Sequence, residues 1–145
     1  FAGSPEDLPA VARVLPHTDY FMPSVEEAMA LTGRRDLSDM ASQFFDYGTR
    51  CCIFTLGAEG ASYHHADGTS FRVPAFDIAV KCTCGCGDAF NAGMAVALCR
   101  EMEPEVAVRF AQATSALNAT GLGSQAGVRS FDHTWEFMST TPSRR

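Results

Sequence analysis

Apolar and polar residues follow two different periods along this chain, and these periods predict a succession of helices and strands. The predicted helices cover residues 5–14, 25–32, 37–47, 89–97, 104–117 and 134–138. The predicted strands cover residues 17–22, 50–56, 61–65, 69–73 and 76–81. Because strands alternate with helices, the pattern indicates an α/β layered fold. The length of 145 residues suits a single α/β domain over 1–145.

Local signals support several of these elements. Ser24 followed by Glu27 has the capping-box pattern of a helix start, and Gly33 marks the end of that helix. The apolar run of residues 50–56 predicts a strand that is covered on both faces. The pair at 67–68, Asp-Gly, predicts the turn of a hairpin.

Two helices carry predicted apolar faces, and two other stretches are predicted to be irregular. The faces comprise Met40, Phe44 and Tyr47 in one helix, and Val106, Phe110, Ala113 and Leu117 in the other. The glycine-rich stretch 121–127 is a predicted loop, and residues 143–145 are predicted to form a loose tail.

The composition excludes several classes of protein. The chain is 46% hydrophobic and 19% charged, so it can form a sizeable core. Its 11 basic and 17 acidic side chains give a net charge of −6, and Lys81 is its only lysine, which argues against a nucleic-acid partner. Without a membrane-length apolar run or a signal-like leader, we expect a soluble, cytoplasmic protein with no membrane partner. The opening residues 1–4 lack an initiating Met and indicate a fragment of a longer protein.

The strongest functional signal lies in residues 83–93, where a small-residue loop precedes a helix. Gly85 and Gly87 let the backbone approach a ligand, and the free N–H groups of a first helical turn favour an anion. Asp88 lies at the same helix start, where its carboxylate stays ionised. Phosphoryl transfer needs both features, because donors stabilise the transferring group and a base accepts the proton of the attacking hydroxyl. A tight turn with Asp88 as helix cap is the structural alternative.

Residues 82–90 (CTCGCGDAF) resemble the signature of the ribokinase-like, or phosphofructokinase-B type, sugar kinases, which typically is Asp-Thr-Thr-Gly-Ala-Gly-Asp-Ala-Phe. Two further motifs occur upstream in the family's order. Residues 23–28 (PSVEEA) resemble its Pro-Asn-X-X-Glu helix start, and residues 55–60 (TLGAEG) resemble its Thr-X-Gly nucleotide loop. The resemblance implies a ribokinase-like layered α/β/α fold, with this chain as the C-terminal nucleotide-binding portion.

The resemblance also implies a function for individual residues. The intact protein would transfer the γ-phosphate of ATP to a hydroxyl of a sugar or sugar-like substrate, with Asp88 as the catalytic base. Gly85, Cys86 and Gly87 would form the anion hole through their backbone N–H groups. Glu27 would organise Mg²⁺ and phosphate through water. The implied nucleotide contacts are Thr55, Gly57, Gly60, Asn118 and Gly123.

Three departures from the family pattern bear on activity. The first signature Asp is Cys82 here, the second Thr is Cys84, and Ser24 replaces the Asn of the helix start. In relatives that use a monovalent cation, the residues at the positions of Cys82 and Cys84 help to build the cation site. A thiol is a poor ligand for a hard cation. The sequence therefore argues against potassium activation. The departures also keep open a non-catalytic nucleotide-binding module.

The cysteines support a further alternative, a metal or redox protein. Without an export signal the six cysteines are expected to be reduced, and Cys51 and Cys52 are predicted core residues of a strand. Cys82, Cys84 and Cys86 suggest a metal site, but their one-residue spacing differs from the usual spacing of zinc ligands. Cys86, at a helix start, is the predicted redox-sensitive thiol.

The sugar-binding residues and the lid of this family lie mostly in the N-terminal half, which has no counterpart here. We therefore expect the isolated chain to be inactive. The sequence leaves ribose, fructose, a keto-deoxy sugar acid and a nucleoside open as substrates. An exposed sheet edge would allow a homodimer or aggregation.

Overall fold

The computed structural model describes residues 4–144. Its internal contacts divide the chain into two compact units. The first comprises the residues up to Leu56 together with Ala61–Arg72, and the second comprises Gly57–Gly60 and the residues from Val73 onward. The expectation drawn from the opening residues 1–4 stays a prediction, and residues 1–3 lie outside the described part of the chain.

The first unit is built on a four-stranded mixed sheet. Its strands, in spatial order, are β1 (Tyr20–Phe21), β2 (Cys51–Thr55), β3 (Ala61–His65) and β4 (Ser70–Val73). β2 pairs parallel with β1 and antiparallel with β3, where Ile53 lies opposite Tyr63. The helices of this unit are α1 (Leu8–Ala12), α2 (Val25–Thr32) and α3 (Leu37–Asp46).

The core of the first unit joins one face of β2 to α3. Cys52 and Phe54 belong to the same buried cluster as Met40 and Phe44. The strand residues that alternate with them are also buried, so all of Cys51–Phe54 is enclosed. This confirms the prediction of a strand covered on both faces, although β2 has one parallel and one antiparallel neighbour.

The second unit is mainly helical. Its helices are α4 (Cys86–Cys99), α5 (Pro104–Ala119) and α6 (Phe131–Thr140). Gly93 allows α4 and α5 to approach closely, because a Cβ there would lie 2.6 Å from Thr114 Oγ1 and 2.8 Å from Ala111 Cα. α6 packs on α5 through Phe110 and Phe131, whose ring centroids are 5.1 Å apart.

The elements that short local sequence signals predict are confirmed. The hairpin turns at 67–68, α2 ends at Gly33, and α5 starts at Pro104. The first predicted helix, 5–14, forms as a 3₁₀ turn followed by α1. The helix predicted near 134–138 is longer, because Ser130 caps it by accepting the N–H of the third residue of α6. Within residues 4–144, no helix has the length and apolar character to span a membrane.

Two strand predictions are corrected. The strand predicted over 17–22 is reduced to Tyr20–Phe21, because the chain before it ends a 3₁₀ turn at His17. The strand predicted over 76–81 is wrong. In the described residues this stretch forms only an isolated bridge at Phe76. The N–H of its last residue, Lys81, donates to the Ala119 carbonyl at the end of α5.

The predicted loose tail is also wrong for its described residues. Ser143 forms the bridge with Phe76, and the N–H of Arg144 donates to the Ala75 carbonyl at 2.7 Å. Arg145 lies outside the described residues. The tail is therefore bound by backbone hydrogen bonds that its polar composition did not reveal.

At the helix ends, one residue of each predicted apolar face is exposed to solvent. Tyr47 is the C-cap of α3 and is 36% exposed, whereas Ala41 is buried. Val106 lies in the first turn of α5 and is 37% exposed, whereas the other three predicted residues of that face are buried. Positions in a terminal turn extend beyond the partner surface, so the helical period alone does not determine their burial.

Candidate functional site

The loop before α4 turns at Gly85. This residue is the N-cap of the helix, with a φ of 72° in the left-handed region that favours glycine. A Cβ at Gly85 would lie 2.6 Å from the Cβ of Ser124 and 2.9 Å from its Cα. Both the backbone conformation and the close approach of the 121–127 loop therefore require glycine here.

The first turn of α4 presents backbone donors beside a carboxylate. The N–H of Cys86 donates to the Thr83 carbonyl at 3.2 Å, whereas the N–H groups of Gly87 and Asp88 have no acceptor within residues 4–144. Both of these residues are exposed, and outside its own helical turn a Cβ at Gly87 would meet no atom of the described residues within 4 Å. Asp88 is the third helical residue and not the cap, which corrects the tight-turn alternative. The turn thus forms an open anion cradle, defined here as Gly85–Asp88.

The segment that leads to the anion cradle is bound to the end of α5. The N–H of Lys81 donates to the Ala119 carbonyl, and Asn118 Nδ2 donates to the Cys84 carbonyl, both at 2.8 Å. Asn118 is fully buried, and its Oδ1 has no partner among the described residues. The structure places this predicted nucleotide contact behind the loop, where it holds the backbone that precedes Gly85.

An apolar cavity of about 380 Å³ adjoins the anion cradle within the second unit. Thr83 and Cys86 contribute to its wall from the loop. Its apolar lining comprises Ala58, Ala75, Phe76, Ile78, Val80, Ala116 and Ala119. This volume lies in the range of about 300–1,000 Å³ that is usual for small-molecule sites. Apolar walls with a few polar groups suit a flat aromatic ring.

Gln112 and Ser115 supply polar groups to this cavity, and the sequence analysis missed both. They lie on α5, and Gln112 is only 7% exposed. The available signal was a polar residue within an apolar helical face, between Phe110 and Ala113. Glutamine is seldom so deeply buried without a polar partner or a function.

In the first unit, the ends of two parallel strands meet beside the start of α2. β1 and β2 run parallel, and Ser24, which follows β1, forms a parallel bridge with Thr55 at the end of β2. Ligands of open α/β sheets bind beyond the carboxyl ends of parallel strands. The structure therefore brings two predicted site regions, at Glu27 and at Thr55, to one edge of the sheet.

The Glu27 carboxylate takes part in the capping box of α2. Its Oε2 accepts the N–H of Ser24 at 2.8 Å, and the Ser24 Oγ accepts the N–H of Glu27 at 3.2 Å. The predicted capping box is confirmed. Glu27 therefore has a structural function, and its function in magnesium binding stays a prediction.

The other predicted nucleotide glycines differ in the space around them. Gly57 lines the cavity and is exposed, and a Cβ there would meet no atom within 4 Å. Gly60 is buried, and a Cβ there would overlap the Val73 carbonyl oxygen. Gly123 lies in the exposed loop, with open space around it. Gly57 and Gly123 are thus accessible to a ligand, whereas Gly60 has a packing function.

A model of the pfkB family carbohydrate kinases matches residues 2–130 of this chain. The chain belongs to this family. Ribokinase from Haemophilus influenzae is 33% identical over 125 residues, which cover 83% of this chain and 40% of that protein. Deoxyribokinase from Salmonella typhi is 32% identical over 126 residues, which cover 83% and 41%. The chain therefore spans about two fifths of the length of these curated relatives.

A solved structure shares the fold of this pfkB family member. A protein from Escherichia coli, provisionally named ribokinase II and solved with ATP and Mg²⁺, has a TM-score of 0.84 at 27% identity. The match covers 93% of this chain and 44% of that one. The predicted family and the ribokinase-like α/β fold are confirmed.

The cysteines of this family member occupy distinct environments. Cys51 and Cys52 are buried as predicted, and burial raises the pKa of each thiol to about 12. The Cys86 sulfur lies 3.7 Å from the Ser115 carbonyl oxygen and so faces α5. Among residues 4–144, no group of three or more His, Cys, Asp or Glu side chains has the arrangement of a metal site.

Proposed function

We propose that this protein is an ATP-dependent sugar kinase, and that this chain carries its ATP site, its anion cradle and its catalytic base. The reaction transfers the γ-phosphate of ATP to a hydroxyl of a sugar or sugar-like substrate. The proposal is supported chiefly by the open first turn of α4. There, the N–H groups of Gly87 and Asp88 have no acceptor in the part of the chain that the structure describes, and they lie beside the exposed Asp88 carboxylate.

Asp88 is the proposed base for the attacking hydroxyl. Its carboxylate is exposed and is carried by the first turn of a 14-residue helix, so its position is well defined. It accepts the hydroxyl proton while the N–H groups of Gly87 and Asp88 donate to the phosphoryl oxygens. Donors that are already oriented stabilise the charge of the transition state without reorganising.

The cavity beside the anion cradle is the proposed adenine site. Its apolar walls would cover the faces of the base, and the Gln112 amide offers a donor and an acceptor to the base edge. Gly57 permits close approach of the nucleotide at the wall. Thr55 and Gly123 are proposed as further nucleotide contacts, and Asn118 is proposed to act through the loop that it holds.

Mg²⁺ is the proposed cofactor, and Glu27 fits it. Proteins commonly bind Mg²⁺ through one or two carboxylates together with substrate phosphates and water. The capping box uses Oε2 of the partly exposed Glu27 side chain, which leaves Oε1 for a water of the ion. When bound, the ion would neutralise phosphate charge. No monovalent cation is included, since thiols replace oxygen ligands at Cys82 and Cys84.

The acceptor is proposed to be a pentose or a pentose derivative. The relatives described above are named ribokinase and deoxyribokinase. Since this chain spans about two fifths of their length, the acceptor of the whole protein is part of the proposal.

A non-catalytic nucleotide-binding module is the second candidate. One observation favours it: the serine that replaces the family's Asn forms a closed pair of hydrogen bonds with Glu27. Such a protein would bind ATP but would not transfer phosphate to any sugar.

Asp88→Asn in the intact protein tests the proposed function. Asparagine keeps the size of the side chain but cannot accept the hydroxyl proton as an anion. We expect kcat to fall by about 10²–10⁴-fold, with the Kd for ATP within about threefold of the native value. Asp132→Asn, an exposed residue in the first turn of α6, is the matched control and should keep kcat.

Coupled-assay kinetics and calorimetry on the same preparations separate the candidates. Loss of turnover with ATP binding retained supports Asp88 as the base. Comparable turnover in Asp88→Asn contradicts that assignment. Saturable ATP binding by the native protein, without turnover on any pentose, favours the non-catalytic module.

A further inference from the structure

We propose that Cys82 and Cys84 form a reactive dithiol, which small disulfides such as glutathione disulfide oxidise to a disulfide within the loop. The pair lies immediately before the anion cradle. The inference concerns a covalent modification site and does not depend on the reaction proposed above. The redox-sensitive thiols in this proposal are Cys82 and Cys84, whereas the sequence analysis predicted Cys86.

Hydrogen-bond donors surround the Cys82 sulfur. The N–H of Cys84 lies 3.4 Å from Cys82 Sγ. Hydrogen bonds from the Gly123 N–H, the Cys84 N–H and the Cys84 thiol lower the pKa of the Cys82 thiol. The residue is also partly exposed. Since the thiolate is the attacking species in thiol–disulfide exchange, Cys82 is the nucleophile of the pair.

Cys84 is placed to complete the oxidation. It is exposed, and its backbone N–H lies 3.4 Å from the Cys82 sulfur. A hydrogen bond with the Cys82 side chain and the charge on Cys82 raise the pKa of the Cys84 thiol. Cys84 therefore stays protonated while Cys82 attacks, and its exposed thiol carries out the second step.

The other cysteines are less suited to this chemistry. Cys51 and Cys52 are buried, and burial raises the pKa of each to about 12. Cys86 is partly buried and its sulfur faces the Ser115 carbonyl. Cys99 is exposed at the end of α4 and provides a matched control within the same chain.

The oxidation proceeds in two balanced steps. The Cys82 thiolate attacks one sulfur of glutathione disulfide, which forms a mixed disulfide and releases one glutathione thiolate. The Cys84 thiol then loses its proton, its sulfur attacks Cys82 Sγ, and the second glutathione leaves. Two protein thiols are oxidised, one external disulfide is reduced to two thiols, and the protons released by the cysteines protonate the glutathione thiolates.

The modification has a local structural consequence. The Cys84 N–H donates to the Cys82 sulfur at 3.4 Å in the reduced state, and a disulfide sulfur is a much weaker acceptor than a thiolate. The carbonyl of Cys84 is held by Asn118 at 2.8 Å, so movement of the pair is transmitted to the segment before Gly85. We therefore expect oxidation to weaken the hydrogen bond of the Cys84 amide.

Treatment of the reduced chain with glutathione disulfide, followed by peptide mass mapping, tests this proposal. We expect the peptide with Cys82 and Cys84 to lose two hydrogens without an adduct, at least about tenfold faster than Cys99 gains glutathione. Hydrogen exchange at the Cys84 amide should become severalfold faster after oxidation. Thermal melting of the reduced proteins verifies that each variant is folded.

Single variants identify the order of the steps. Cys84→Ser should stop at a stable glutathione adduct on Cys82, whereas Cys82→Ser should lose the fast reaction. In the Cys99→Ser variant, the pair of Cys82 and Cys84 should be oxidised at the native rate. The proposal is overturned if the native pair reacts no faster than Cys99, if the disulfide forms instead with Cys86, or if exchange of the Cys84 amide is unchanged by oxidation.

Discussion

Gly85 and Gly87 are two residues apart in the anion cradle, but their surroundings give them different functions. Gly85 needs a positive φ and has no room for a Cβ beside Ser124. Gly87 has open space around its Cα and lies within a helical turn. Glycine at the first position is therefore required by the fold, whereas glycine at the second leaves space for a ligand.

The same substitution at both positions tests this distinction. Gly85→Ala should lower the free energy of unfolding by about 1–3 kcal/mol, because alanine is strained at that φ and contacts Ser124. Gly87→Ala should leave stability unchanged or raise it by up to about 1 kcal/mol, since alanine is the better helix former. Denaturant unfolding measures both values. Equal losses in the two variants would contradict the account.

The buried thiols of β2 predict a pH dependence of stability. The pKa values of Cys51 and Cys52 rise from 9.0 to about 12 because burial disfavours their charged forms. Between these values the unfolded chain loses protons that the folded chain keeps. The free energy of unfolding should therefore decrease, by at least about 1 kcal/mol, as the pH rises from 9 to 11.

Denaturant unfolding at several pH values measures this slope. Cys52→Ala removes one of the two thiols and should give a shallower decrease, whatever its effect on absolute stability. Cys99→Ala, at an exposed position, should retain the native slope. An unchanged slope in Cys52→Ala would show that the buried thiol does not control the alkaline loss.

At the level of elements, the start of α2 combines a structural and a proposed catalytic function in one carboxylate. Glu27→Gln retains an acceptor for the Ser24 N–H but loses the charge, whereas Glu27→Ala loses both. We expect Glu27→Gln to keep native stability within about 0.5 kcal/mol and Glu27→Ala to lose about 1 kcal/mol. Both should weaken the Mg²⁺ dependence of ATP binding.

Unfolding and calorimetry at varied Mg²⁺ concentration separate the two functions. A native Mg²⁺ dependence in Glu27→Gln would mean that this residue only caps the helix.

Elements determined by local chemistry were predicted well from the sequence. The capping box and Gly33 define α2 within a few residues, and the glycine loop before α4 was identified together with Asp88. The strand predicted over 76–81 failed because its backbone partners are distant in sequence, at Ser143 and Ala119. A single sequence shows the strand propensity of a segment, but it does not show which distant segment will form hydrogen bonds with its backbone.

The candidate site shows the same limit. Asp88 and its neighbouring donors follow from a short motif, whereas the cavity depends on how α5 packs beside the loop. Gln112 therefore escaped the sequence analysis, and the sequence did not show that Asn118 is buried behind the loop, where its function in nucleotide binding stays a prediction. Side-chain direction on a helix is set by packing in three dimensions.

At the level of the whole molecule, the two compact units carry different predicted parts of one function. The unit with α2 and β2 carries Glu27 and Thr55, and the helical unit carries the anion cradle and the cavity. The single domain over 1–145, the inactivity of the isolated chain and the homodimer stay predictions. Within residues 4–144, β1 and β4 are the outer strands of the sheet, so a homodimer of this chain through a sheet edge would involve one of them.

Titration of the chain with Mg·ATP, followed by calorimetry and thermal unfolding, tests directly whether this chain carries the ATP site. We expect saturable binding, a gain in stability of about 2.7 kcal/mol at a ligand concentration of 100 times Kd, and weaker binding by the folded Gly87→Ala variant. A folded chain that shows no saturable binding, or a Gly87→Ala variant that binds as tightly as the native chain, would contradict the proposed ATP site.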